Sequence, residues 1–138
     1  MRTAWFGPNA FHVLYDDVCP SDIPFAQDQL GDQFLIRAGV VLRLFAETGE
    51  IERLADSLQD FFGKVSSDIE GFLNVGLSRK MEPGQLLHAY PPFSFKESGA
   101  GATLAPLPAS EVILFHADLA RQVRDVPNGR RVEFKLIN

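Results

Sequence analysis

Cys19 and the three histidines, His12, His88 and His116, are the side chains of this chain best suited to nucleophilic or metal chemistry. A cysteine attacks as its thiolate, and it needs a base within reach and a third group to orient that base. His12 stands seven residues before Cys19, but the segment between and after them is rich in Asp and Pro. That setting offers neither a helix N-terminus nor a basic neighbour to stabilise a thiolate. An inert thiol is the expectation. The histidines are widely separated and show no His-x-x-x-His or Cys-x-x-Cys spacing, so no zinc site is expected. Five aspartates, Asp16, Asp17, Asp22, Asp28 and Asp32, crowd residues 16–32. A hard cation such as Ca²⁺ favours oxygen ligands of this kind, but the Asp-x-Asp-x-Asp-Gly register and its closing Glu are missing. A solvated acidic loop is the simpler expectation. No Gly-x-x-x-x-Gly-Lys or Gly-x-Gly-x-x-Gly loop occurs, so neither a phosphate cradle nor a bound cofactor is expected.

Size and charge narrow the function classes. A length of 138 residues suits one domain covering residues 1–138. No apolar run approaches the roughly 18 to 20 residues that a membrane-spanning helix needs. The first residues lack the apolar core and small-residue cleavage site of a signal peptide. One cysteine fits a reducing compartment, so a cytoplasmic location is expected. Residues 1–69 carry 11 acidic against 5 basic side chains, and residues 70–138 carry 7 against 8. Phosphate backbones repel the acidic first half, which argues against nucleic acid as a partner. A basic protein would be drawn to it, chiefly through a faster encounter. The plainer alternative is that mild acidity only keeps the protein dispersed.

The elements follow from periodicity and punctuation. Residues 11–15 (FHVLY) read as a short strand, and the Pro- and Asp-rich residues 16–24 as an exposed connection. Residues 33–37 and 40–45 read as strands joined by Ala38-Gly39, a two-residue hairpin turn. Both faces of the second strand are largely apolar, which predicts cover on both sides. A turn at residues 47–50 and an extended piece at 51–54 lead to a helix with Asp56 or Ser57 as N-cap. Asp56 and Gln59 show capping-box spacing, and Leu58, Phe61, Phe62 and Val65 form a stripe predicted to be buried. A second capping box, Ser67 to Glu70, opens a short helix that Gly76 stops. Residues 85–90 read as a strand, with the rest of 81–107 as a long loop holding the aromatic run Tyr90-Pro91-Pro92-Phe93-Ser94-Phe95. Ser110 is placed to cap a helix with Val112, Phe115, His116, Leu119, Val123 and Val126 on one stripe. Pro127-Asn128-Gly129 ends it, and residues 132–136 alternate as a closing strand. The sum is an α+β domain with a mainly antiparallel sheet and helices packed on one face.

The stretch IPFAQDQLGDQFLI with Gly31-Asp32 entering a strand, then VVLRLF, the acidic turn ETGE and LADSLQDFF, resembles the SUKH superfamily. That group includes cell-wall-synthesis regulators and bacterial toxin-immunity proteins. The resemblance covers residues 23–62, and both ends of the chain diverge from the family pattern. It implies a non-catalytic protein that neutralises a toxin partner by occlusion.

The residues allow three readings. The first is that binding protein, holding its partner through Asp16, Asp17, Asp22, Asp28 and Asp32 and through Tyr90, Phe93 and Phe95, since aromatic anchors dominate interfaces. The same aromatics could instead fold back on the core. The second reading is a small enzyme whose site, built from His12, Cys19 or His88 with an aspartate, is hidden from sequence. The third is a regulatory adaptor that forms a homodimer through a sheet edge or the 90–95 segment.

Overall fold

A two-residue turn sets the register of the main sheet. In the computed structural model, which describes residues 7–69, 82–124 and 126, Ala38 and Gly39 take φ values of 49° and 81°. Two successive positive φ angles give a hairpin turn whose twist matches that of its strands. They join β2 (Gln33–Arg37) to β3 (Val40–Leu44), pairing Arg37 with Val40, Leu35 with Leu42 and Gln33 with Leu44. β1 (Ile23–Gln27) lies beside β2 and β4 (Ile51–Ala55) beside β3, all antiparallel, in the order β1-β2-β3-β4. The sequence predicts a polar loop where β1 forms. Pro24 reads as a breaker, yet β1 is an edge strand with a bulge between Pro24 and Ala26, where a missing N–H is tolerated.

Among the described residues three α-helices cover this sheet: α1 (Phe11–Leu14), α2 (Leu58–Ser67) and α3 (Ala109–Val123). Leu35, Leu42 and Leu44 meet Phe11, Leu14 and Tyr15 around α1 and Ala117 and Ala120 from α3. On the opposite face Phe34, Val41 and Ala55 meet Phe61 of α2. The domain is α+β with antiparallel sheets, as predicted. Its helices divide between the two faces instead of sharing one, which the two-sided apolar pattern of β3 requires.

Residues 11–15 form a helical turn and not the strand that their content suggested. Phe11, Leu14 and Tyr15 recur at helical spacing and all are buried, a pattern no strand can satisfy. The Tyr15 hydroxyl donates to the Ala46 carbonyl at 2.7 Å, tying α1 to the end of β3. In α2 the capping box lies one residue later than expected. Asp60 N–H donates to Ser57 Oγ at 3.0 Å, while Asp56 turns to Arg53. Of the predicted stripe only Phe61 is buried, Val65 is half-buried, and Leu58 and Phe62 are exposed.

β5 (Gln85–Tyr90) pairs with β6 (Thr103–Pro108) in a separate antiparallel ribbon. The long-loop expectation hid β6 because TLAPLP contains two prolines. Pro106 lies opposite Leu87, whose N–H donates at 2.7 Å to the Gln29 carbonyl of the main-sheet loop. This is a non-hydrogen-bonded position of the ladder, so no ribbon bond is lost at Pro106. α3 follows Pro108 at once, and Ser110 sits in its first turn without capping it. The expected helix at 70–76 and strand at 132–136 lie outside the described residues. Among those described, no helix is long and apolar enough to cross a membrane.

Gly39 and Gly63 test the backbone argument from opposite sides, since an added Cβ would meet nothing within 4 Å at either. Gly39→Ala should cost about 1 kcal/mol, because its φ of 81° is left-handed. Gly63→Ala, within α2, should stabilise by up to about 1 kcal/mol. Denaturant unfolding of both variants measures the pair.

Candidate functional site

The acidic segment folds around its own backbone. Asp28 Oδ1 accepts the N–H groups of Leu30 at 2.9 Å and Asp32 at 3.0 Å. Gly31 takes a φ of 96°, and a Cβ there would lie 3.3 Å from His116 Nδ1, so α3 packs directly on the loop. Arg43 projects from β3 to Asp28 Oδ2 at 3.1 Å and Asp32 Oδ2 at 2.7 Å. Its guanidinium also stands 5.7 Å from the Phe34 ring centroid and 5.0 Å from that of Phe45. Asp32 Oδ1 accepts Ala46 N–H at 2.9 Å. Burial, with the adjacent Asp32 charge, pushes the Asp28 carboxyl up to about 6 despite Arg43 and the two N–H donors.

Three of the five aspartates, Asp22, Asp28 and Asp32, turn inward onto arginines, while Asp16 and Asp17 stay exposed. Asp22 is buried and held by Arg37 through Nε at 2.8 Å and a terminal nitrogen at 2.7 Å. Burial works against its charge, but the Arg37 bonds and the Cys19 N–H outweigh it and hold its pKa below the usual range. Asp16 pairs with Arg124. Among the described residues Asp17 alone of the five carries no ion pair. Spacing could not show this, because the compensating arginines lie on β2, β3 and beyond α3.

The aromatic segment keeps its candidacy in part. Tyr90 is 64 % exposed and Phe93 48 %, while Pro92 is buried and Phe95 half-buried. Glu47, in the turn after β3, fixes this loop through two backbone donors: Phe93 N–H at 2.8 Å and Ser94 N–H at 2.6 Å. Between the two loops opens a cavity of about 300 Å³. Leu30 and Asp32 line one side, Phe45, Glu47, Thr48 and Glu50 a second, and Leu87, Ala89, Phe93 and Ser94 a third. His116 of α3 completes the lining.

His116 was expected at the edge of the core as an ordinary stripe residue. It is only 3 % exposed, and its Nδ1 has no hydrogen-bond partner among the described residues. Burial, with His88 nearby, pushes the imidazole down to about 4, so it is neutral at physiological pH. The His88 ring stacks 6.5 Å away between centroids, and Phe115 meets His88 edge-on at 4.4 Å. Cys19 is exposed, and among the described residues no hydrogen bond joins it to a histidine. No group of three or more His, Cys, Asp or Glu among them is arranged to hold a metal. Sequence reasoning missed Glu47, Glu50 and His116 as neighbours; the only signals were the doubled acid of the ETGE turn and a histidine within an apolar stripe.

Compared with known proteins, the chain matches no family model, no curated protein and no solved structure. The residues that resemble the SUKH pattern have local structural tasks: Gly31 allows the turn, Asp32 binds Arg43, and Ser57 caps α2.

Arg43→Leu should destabilise the fold by about 3 kcal/mol, because it leaves the buried Asp28 without its cation. Arg53→Leu, whose pair with Asp56 is exposed, should change stability by less than about 1 kcal/mol. Unfolding free energies of the two variants give the comparison. A second measurement concerns pH. A histidine whose folded pKa is lowered leaves the unfolded chain to bind the proton first, so its contribution is lost as pH falls from 6.5 through about 4. The stability difference between wild type and His116→Leu should therefore shift by roughly 3 kcal/mol against wild type between pH 7 and 4. Asp28 titrates alike in both proteins and cancels in the difference.

Proposed function

We propose that this protein is a non-catalytic protein-binding domain that works by occluding its partner, the role that the resemblance to SUKH immunity proteins implies. The observation that carries the reading is the pair of exposed aromatics, Tyr90 at the end of β5 and Phe93 on the following loop, which Glu47 holds beside a concave surface. Aromatic side chains supply large contact area, and a loop already ordered by hydrogen bonds loses little further entropy on binding. A partner would place its own protrusion in the recess and cover Phe93 at its rim. A toxin domain is the partner class that the resemblance suggests, and the cytoplasm the compartment that a lone thiol suits.

The test is binding to the products of adjacent genes, measured by calorimetry with purified proteins. Phe93→Ala and Tyr90→Ala should each weaken a complex at least about tenfold with little change in melting temperature. Asp17→Asn should leave affinity nearly unchanged. Full affinity in both aromatic variants would reject this surface.

A further inference from the structure

The charged groups that line the cavity beside Phe93 are all hydrogen-bond acceptors. Asp32, Glu47 and Glu50 contribute carboxylates, and among the described residues no Lys or Arg lines it. His116 adds a buried imidazole whose Nδ1 has no partner among the described residues, and its neutral state leaves one ring nitrogen as an acceptor. Asp32, already paired with Arg43, and Glu47 are positioned by backbone N–H groups, so these acceptors are fixed in place before any ligand arrives, and the charge left without an ion pair among the described residues is that of Glu47 and Glu50. Glu50 is exposed at the mouth. Thr48 and Ser94 add hydroxyl-bearing side chains, and the other walls are apolar, from Leu30, Phe45, Leu87, Ala89 and Phe93. A volume of about 300 Å³ lies at the small end of ligand sites, suited to one long side chain and too small for a large cofactor.

We propose that this cavity receives an arginine side chain of the protein partner, its guanidinium among the carboxylates and His116 and its methylene stem along the Leu and Phe walls. The assignment of the arginine to a partner rests on the protein-binding reading above; the chemistry of the cavity does not. A guanidinium offers five N–H donors and no acceptor, the complement of this lining. Aromatic faces such as those of Phe45 and Phe93 also favour a cation. A lysine would present a point charge with three donors and match fewer of the fixed acceptors.

The experiment uses the protein without any partner and three probes: N-acetylarginine methylamide, agmatine, and the neutral N-acetylcitrulline methylamide. Binding is followed by NMR shifts of the His116 ring and the Leu87 and Ala89 methyl groups. The expected result is saturable binding of the arginine probe, none of the citrulline probe, and about threefold weaker binding in Glu50→Gln. Equal binding of the citrulline probe would overturn the cation assignment. Binding of agmatine without the arginine amide would overturn the partner side chain in favour of a free amine. Saturation by none of the three would reject the site. Probe binding that persists while Tyr90 and Phe93 prove irrelevant to any protein complex would reject the protein-binding role and, with it, the partner as the source of the arginine.

Discussion

Arg43 is the residue on which the functional end of this domain depends. From β3 it pairs with both Asp28 and Asp32, and its guanidinium stands against Phe34 and Phe45. Because Asp28 is buried, the cation is what makes a charged loop tolerable against the sheet. The loop in turn brings Gly31 against His116 and offers the Gln29 carbonyl to β5. The second sheet, α3 and the cavity wall therefore all meet at one loop whose two carboxylates share a single cation from β3. Replacing the arginine would alter the site and the fold together.

Much of the frame was legible in the sequence. The hairpin at Ala38-Gly39, β4, β5 and the apolar stripe of α3 follow from local rules, since each depends on residues next to one another in the chain. β1 and β6 were hidden by prolines, which mark turns in most contexts and are harmless at a sheet edge. Residues 11–15 were misread because β-branched and aromatic content outweighed the i, i+3, i+4 spacing of Phe11, Leu14 and Tyr15. The site was less legible. The aspartates are obvious in sequence, but their partners Arg37 and Arg43 stand 11 to 15 residues away from them and Arg124 stands 108 from Asp16. Charge that reads as a free face is internal bookkeeping in the fold.

The same contrast holds for His116. A histidine on an apolar stripe usually finds a partner or stays at the rim, whereas this one is buried with Nδ1 unpaired among the described residues. Only the approach of the Gly31 loop, set by tertiary contacts, places it beside the carboxylates.

The prolines of β6 have a consequence for how the protein meets its own copies. Because Pro106 sits at a non-hydrogen-bonded position, its nitrogen faces away from β5, and so do those of Leu104 and Pro108. Two of the three outward positions on that edge therefore have no hydrogen to offer an incoming strand. On the far border of the main sheet, Pro24 and the bulge interrupt β1 in the same way. Strand-to-strand aggregation at these two edges is thus discouraged by covalent structure, and remains so at concentrations or ionic strengths that would screen a protective charge.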